Sequence, residues 1–502
     1  MTENSVVSVL PALVFLIPAV LGILAWILGR ASTALAQFLG FLGTAGALAA
    51  AVAMIPPVLA GQVLTYWGLE LRVDALSCLV VTLIATVGLA AVIFSFRYMR
   101  HHRFTDASGA DVTQRRLAVF YGLFLFFMAT MLWGTTTNNI IMLYVAVEAT
   151  TIASGLLVAF WWDRRSLEAG YKYLMLLTVG ITFALFGCVL LYSASTPFLQ
   201  GVNAMLMSQI RTVAAQIPHS VMIFVVALFI VGFGTKAGIA PFHPWLPDAH
   251  AEAPGPISAL LSGVMIKMAV YALARTLGIF FPAYGALGLF VVILGAFTML
   301  LGVVMALAQE DVKRLLAYSS VSQMGYILMG LGFWTYLGTY GALFHLVNHA
   351  LAKSLLFLAI GAVIYRTAGR TLGELGGLGA KMPVTAACFF IGAFAISGMP
   401  PFNGFMSKLT IFLAGAQKGM WWAVAIGVFT SLLTMVALVK AGYRIFWGKP
   451  RDEAIFERAQ EAPASMLLPF IALSLGCLLL GIWPQVIYPL LNSAARSLLG
   501  SP

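Results

Sequence analysis

Fourteen mostly apolar runs, most of them about 20 residues or longer, follow one another through the chain with short polar joins between them. A run of that length crosses the roughly 30 Å hydrocarbon core of a bilayer as one α-helix. Lipid offers the backbone no hydrogen-bond partners, so only helices or closed barrels cross it. The runs lie at 7–29, 33–57, 75–97, 117–135, 138–161, 170–194, 218–246, 257–280, 284–308, 312–333, 335–365, 384–416, 421–446 and 464–492. They predict an all-α polytopic membrane protein of about 14 helices, one integral domain over 1–502. The chain is 61% hydrophobic and 9% charged, against about 25% charged residues in soluble domains, which excludes a water-facing fold. The shorter segment 202–215 reads as an interfacial helix or a loop.

The formal charge is +11. In a soluble chain this excess would raise nucleic acid as a partner; here membrane topology accounts for it, and no nucleic-acid partner is expected. Of 28 Lys and Arg, 18 fall in odd-numbered joins, including Arg97, Arg100, Arg103, Arg115 and Arg116. Five fall in even joins or at the end: Arg72, Arg211, Arg275, Lys418 and Arg496. That bias places the odd joins in the cytoplasm and both termini outside. The start MTENSVV lacks a basic n-region, so no cleavable signal peptide is expected. The four cysteines lie in apolar runs without a CxxC and read as core residues, not as a disulfide or cluster framework.

Five lysines remain, all inside apolar runs: Lys236, Lys267, Lys353, Lys408 and Lys440. Glu148 joins them within NNIIMLYVAVEATTIASGLLVAF. Each such group costs about 2.5–3.5 kcal/mol at mid-membrane, so several in one chain point to a polar path. Lys440, near Arg444, fits either a snorkelling anchor or a member of that path. Lys236 and Lys408 are 172 residues apart, and Lys267 and Lys440 are 173 apart. Each pair is separated by five spans, an odd offset that inverts the second unit and predicts inverted repeats. The units run 117–280 and 284–446, after three N-terminal helices in 1–116 and before a C-terminal helix in 464–502. Around Lys236 (GFGTKAGIAPFHPW) and Lys408 (SGMPPFNGFMSKL), Gly and Pro interrupt the helix. Lys236 precedes its prolines and Lys408 follows its own.

FHLVNHALAKSLLF sets His345, His349 and Lys353 at i, i+4, i+8, within about 80° on one helix face. The histidine spacing would suit a metal, but the adjacent lysine would repel a cation, and no metal is expected. Glu148 would pair with one lysine or tune its proton affinity. Lysine, unlike arginine, shifts its affinity readily on burial, which suits proton handling. In HPWLPDAHAEAPGPISALLSG, the residues His243, Asp248, His250 and Glu252 read as a proline-stapled loop rather than a zinc site. His243 is a candidate link from the lysines to the cytoplasm. No GxxxxGK[ST], dinucleotide fingerprint or Cys cluster occurs, so no cofactor is expected in this chain.

GFGTKAGIAPFHPWLPDAHAEAPGPISALLSGVMIKMAVYAL, AYSSVSQMGY, FHLVNHALAKSLLFLAIG and SGMPPFNGFMSKL resemble, in order, four blocks of the antiporter-like membrane subunits. These subunits occur in respiratory complex I, membrane-bound nickel–iron hydrogenases, multi-subunit sodium/proton antiporters and a two-component inorganic-carbon transporter. The resemblance spans about residues 117–446. It implies 14 helices, two inverted five-helix repeats and broken helices 7 and 12. It also implies roles: Glu148 as the key carboxylate paired with Lys236, Lys267 as the connecting residue, His345, His349 and Lys353 as a central relay, and Lys408 as the residue opening to the far side. Some members carry glutamate at the Lys408 position, and some carry histidine where this chain has Gln323. The long lateral helix of the most distal complex I subunit is not expected in this chain. VEATTIASGLLVAFWWDRRSLEAGYKYL is similar to the hydrogenase-type members.

The expected function is proton translocation as a non-redox subunit of a complex I-like NADH:quinone oxidoreductase or a membrane-bound hydrogenase. Other membrane subunits and soluble redox subunits would be its partners, in a bacterial inner membrane. The alternatives are a sodium/proton antiporter subunit, a proton-driven energising subunit for inorganic-carbon uptake, and a purely structural scaffold.

Overall fold

The computed structural model describes residues 4–500 except 107, 200, 282–283 and 451; Arg451, counted among the cytoplasmic-side residues, lies outside them. The chain is an all-helical polytopic membrane protein. Among the described residues, twenty α-helices follow one another: α1 (Leu10–Leu28), α2 (Thr33–Leu59), α3 (Ala75–Arg100), α4 (Thr113–Thr136), α5 (Ile140–Val158), α6 (Arg164–Ser195), α7 (Met207–Val213), α8 (His219–Ala237), α9 (Trp245–Glu252), α10 (Gly255–Leu260), α11 (Ile266–Phe280), α12 (Ala286–Leu307), α13 (Val312–Gly332), α14 (Tyr336–Thr367), α15 (Pro383–Ser397), α16 (Asn403–Gln417), α17 (Trp421–Phe446), α18 (Glu453–Arg458), α19 (Ala464–Ile482) and α20 (Tyr488–Leu499). Among the described residues, 12 helical segments are long and apolar enough to cross a membrane. The α13 helix is not one of these, nor are α15 and α16, which are 15 residues each.

Two expected spans are broken by the same device. The α8 helix ends at Gly238 (φ +72°) and α15 at Gly398 (φ +80°). Both glycines adopt the left-handed conformation that other residues resist. In each case the next amide turns back into the helix, Ile239 N–H to the Gly234 carbonyl and Met399 N–H to the Phe394 carbonyl, both at 3.0 Å. This is a Schellman cap, and Pro241 and Pro244, or Pro400 and Pro401, prevent helix from resuming. The segment after the first break, read from sequence as a loop, is the short helix α9. Trp245 Nε1–H donates to the Thr235 carbonyl at 2.8 Å and pins α9 against α8.

The expected helix over 257–280 is interrupted differently. A π-turn at Leu261–Met265 joins α10 to α11. Extra residues of this kind shift the side chains that follow to a new face of the helix. Gly263 allows it to lie against α14, because a Cβ there would overlap the Ser354 hydroxyl.

Two features depart from the sequence reading, and a third closes an alternative it left open. A small sheet, β1 (Ser5–Val7), β2 (Val63–Tyr66) and β3 (Leu71–Val73), pairs the N-terminal segment in parallel with the α2–α3 join, which itself forms a hairpin. The last expected span ends at Ile482; Pro484 breaks it, and α20 packs separately against α3 and α14. The 202–215 segment forms the short α7, held to the start of α5 by Asn138 and Ser208 at 2.8 Å. Because β1 pairs with β2 and Ser497 of α20 bonds Asp74 beside β3, the first and last described elements meet on one face.

Candidate functional site

The α14 helix runs through the centre of the molecule, and its His345, His349 and Lys353 are fully buried. They point to different partners, on α11, α13 and α16. The Lys267 ammonium, just beyond the π-turn, donates to His349 Nδ1 and to the Ser262 carbonyl. Ser262 in turn shares a 2.8 Å hydrogen bond with Ser320 of α13. One turn from His349, His345 places Nδ1 3.0 Å from Ser407 Oγ on α16 and Nε2 3.1 Å from Gln323 Oε1 on α13. The two imidazole centroids are 6.3 Å apart. Lys353 turns to α13, donating to Ser319 Oγ and, at 2.9 Å, to the Leu316 carbonyl.

Beyond His345 the row continues to Lys408, the neighbour of Ser407. Its ammonium donates to Ser431 Oγ of α17 at 3.0 Å and stands 4.4 Å from the Tyr326 ring centroid. The same tyrosine lies 5.5 Å from the His345 ring. Lys408 follows its break in sequence, yet its side chain runs back along it: a Cβ at Gly398 would stand 2.9 Å from Lys408 Cδ. A hydrogen bond from Ser431 Oγ to the Ser397 carbonyl (2.6 Å) closes the contact with the end of α15.

His345 can exist in two bonded states. Gln323 Oε1 accepts only from an Nε2–H. If the Ser407 hydroxyl donates to the Gly404 carbonyl, 3.1 Å away, then Nδ1 must also carry a proton and the ring is cationic. If Ser407 turns its hydroxyl to Nδ1, the ring is neutral. Rotation of one hydroxyl therefore matches a change of charge.

At the other end, Lys236 does not contact Glu148. Its ammonium donates to Thr151 Oγ1 at 2.9 Å, one turn along α5 from Glu148. It also lies 5.6 Å from the Tyr173 ring centroid. Glu148 is half-buried; Oε1 accepts from Thr178 of α6 at 2.9 Å, and Oε2 has no hydrogen-bond partner among the described residues. Tyr173 lies between the lysines, its hydroxyl 2.5 Å from Ser154 and 3.2 Å from Met265 Sδ in the π-turn. Among the described residues no hydrogen bond joins Lys236 to Lys267.

The remaining candidates stand apart. His243, in the turn before α9, is edge-on to Tyr318 at 6.1 Å. Half-buried Lys440 on α17 is not hydrogen-bonded to the row. Asp248 pairs with Arg314 (2.6 Å) and Glu252 with Arg370 (3.1 Å), tying α9 to α13 and to the join after α14. His250 is fully buried, stacked 4.5 Å from Phe357. No group of three or more His, Cys, Asp or Glu side chains among the described residues could hold a metal. Two basic residues assigned to joins lie in helices, Lys313 buried and Arg275 half-buried. Lys313 donates to the Ala251 and Ala253 carbonyls, and Arg275 forks onto Asp74, 201 residues away in sequence.

Thr151, Tyr173, Ser319, Tyr326, Ser407 and Ser431 are the members the sequence reading missed. A serine or threonine in a membrane helix usually satisfies itself on its own backbone, so nothing local marks those that instead meet a lysine.

Comparison with known proteins gives consistent matches. Residues 137–434 match the family described as NADH:quinone oxidoreductase/Mrp antiporter, transmembrane, and residues 67–106 match the N-terminus of complex I chain 5. The first match encloses every member of the row from Glu148 to Ser431. The chain is 34% identical to NADH-quinone oxidoreductase subunit N of Desulforudis audaxviator, covering 95% of this chain and 96% of that protein. It is 31% identical to hydrogenase-4 component B of Escherichia coli, covering 86% of this chain and 65% of that protein. Among solved structures, a chain of the Mrp complex from Dietzia sp. DQ12-45-1b superposes with a TM-score of 0.87 at 25% identity, over 99% of this chain and 98% of that one.

Proposed function

The chain belongs to the NADH:quinone oxidoreductase/Mrp antiporter transmembrane family, and on that premise we propose that it is a proton-translocating membrane subunit of a redox-driven complex of the complex I or hydrogenase type. The observation that carries this reading is the direct Lys267–His349 hydrogen bond between two buried groups able to exchange a proton. From it the row extends through His345 and Ser407 to Lys408. Glu148 and Lys236 form the entry, with Thr151 between them; Lys353 biases the centre, and Lys408 forms the exit beside the α15 break. The two broken helices are related as inverted repeats. The odd joins face the cytoplasm of a bacterium, and both termini face outward.

Redox chemistry belongs to soluble partner subunits, which act on the entry pair through neighbouring membrane subunits. Glu148 lies beside an exposed apolar stripe, Val145, Ile152 and Leu156. A neighbouring membrane subunit would cover that stripe beside Glu148.

A second reading, a sodium/proton antiporter subunit, draws on the Mrp likeness. Purification from native membranes in mild detergent, with mass spectrometry of the partners, separates the two. Iron–sulfur, nickel–iron or flavin subunits support the main reading; antiporter subunits alone replace it with the second.

A further inference from the structure

The arginine-rich joins do not all treat their cations alike. Between α9 and α17, Arg314 pairs with Asp248, Arg370 with Glu252 and Asp311, and Arg444 with Glu310. Over α1–α6 the pattern reverses. Residues 29–33, 97–116 and 159–165 carry eight arginines against three aspartates, with no lysine or glutamate, so a net positive charge stays there. Asp106, Asp111 and Asp163 accept from backbone amides of their own turns, those of Ser108, Thr113 and Ser166. Among the described residues, Arg30, Arg115, Arg116 and Arg165 form no ion pair, and none of their guanidiniums donates a hydrogen bond. Membrane topology accounts for arginines on this side, but not for leaving these unpaired. Nor do they serve their own helices. Arg115 and Arg116 lie in the first turn of α4 and Arg165 in that of α6, where the helix's own partial positive charge disfavours a cation.

The three joins close on one another. Gln114, at the start of α4, donates from Nε2 to the Arg30 carbonyl at 2.8 Å. Arg116 lies over two rings, Phe104 of the α3–α4 join at 5.7 Å and Trp162 of the α5–α6 join at 5.0 Å. Arg30 lies 5.9 Å from the Trp26 ring. Contact with a ring face orients a guanidinium without using up its N–H donors. Trp162 holds a left-handed backbone (φ +60°), which a tryptophan resists, and its side chain is 61% exposed. The strained turn sets the indole outside the core, against Arg116.

We propose that this corner binds the headgroup of an anionic phospholipid. Guanidinium forks match phosphate oxygens two at a time, and the uncompensated charge selects an anionic headgroup over a zwitterionic one. The tryptophans point to a lipid as the source, because indoles favour the headgroup level of a bilayer. Beside Trp26, the exposed Ile27 and Leu28 of α1 and Phe38 of α2 offer apolar surface to the acyl chains.

The test uses the full chain purified in detergent. Native mass spectrometry would titrate it with phosphatidylglycerol and, as the zwitterionic control, phosphatidylcholine of the same acyl chains. The main variant is Arg30→Gln/Arg115→Gln/Arg165→Gln, in which all three side chains are exposed. Arg115→Gln alone is the milder variant, and Arg458→Gln, exposed on α18, is the off-site control. Phosphatidylglycerol should bind more tightly than phosphatidylcholine. Its binding should weaken at least about tenfold in the triple variant, by a smaller factor in Arg115→Gln, and stay unchanged in Arg458→Gln. Equal binding of phosphatidylglycerol by wild type and the triple variant overturns the proposal, as does phosphatidylcholine binding as tightly. If thermal unfolding shows the triple variant misfolded, Arg115→Gln decides, and binding equal to wild type overturns the proposal. Phosphatidylglycerol binding that survives the triple variant while assembly with partner subunits is lost assigns the arginines to an acidic protein surface, and overturns it as well.

Discussion

At the scale of single residues, the sequence exposes charge and hides hydroxyls. Lys236, Lys267, Lys353 and Lys408 were legible because an ammonium in an apolar run has no cheap explanation. Their partners Thr151, Ser319, Tyr326 and Ser431 were not, because each lies on another helix. Proton transfer requires a group that can let go. Lys236→Arg keeps the charge, but a guanidinium does not deprotonate. We expect Lys236→Arg to lose proton transport as completely as Lys236→Ala while both assemble normally. Transport by Lys236→Arg near the wild-type rate would reduce Lys236 to a fixed charge. Asp74 yields a prediction of a different kind. Burial alone would raise its carboxyl, but Arg275 and Arg72, with the hydrogen bonds from Arg275 and the Ser77 amide, outweigh burial and hold it well below the usual carboxylate range. The unfolded chain therefore takes up this proton first. The stabilisation is complete above about pH 4 and is lost as the pH falls through the lower folded value. Asp74→Asn should cost about 3–5 kcal/mol at pH 7, as expected for breaking a buried pair. Thermal unfolding in detergent should show it, together with a weaker dependence on acid than wild type.

Elements were legible where apolar length decides them and illegible where geometry does. The Gly-Pro clusters marked both breaks, but not that α9 is a helix or that Lys408 folds back onto Gly398. No residue marks the π-turn at 261–265; its sign is the close approach of Gly263 to Ser354, which only the packed structure contains. The small sheet and α20 were missed because short strands and surface helices carry weak periodicity beside long spans. The π-turn is what brings Lys267 to His349. Gly263→Ala should push α10 from α14 and lower transport about tenfold or more, since a misplacement near 1 Å suffices for such losses. Removing the obstructing hydroxyl as well, in Gly263→Ala/Ser354→Ala, should restore most of the activity. A double variant as impaired as the single one would show that this contact does not set the relay. Gly398→Ala should cost about 1–2 kcal/mol through its left-handed conformation and should also displace Lys408. A transport loss exceeding the change in melting temperature distinguishes the second effect from the first.

For the whole molecule, the proposed path runs through the buried groups between two broken helices, and the proposed orientation sets both termini on the face opposite the arginine-rich joins. Cysteines introduced near either end should react with a membrane-impermeant maleimide on intact cells, while one introduced in the 366–381 join should react only after lysis; the reverse pattern would invert the orientation. The central claim is that protons cross through Lys267 and His349. It is tested most directly in everted membrane vesicles that contain the complete complex, by comparing substrate-driven acidification in wild type, Lys267→Ala and His349→Ala after assembly is confirmed. The account predicts that acidification collapses in both variants, and that the paired change Lys267→Ala/His349→Ala is no worse than either alone. Acidification at wild-type rate and extent in either single variant would contradict it.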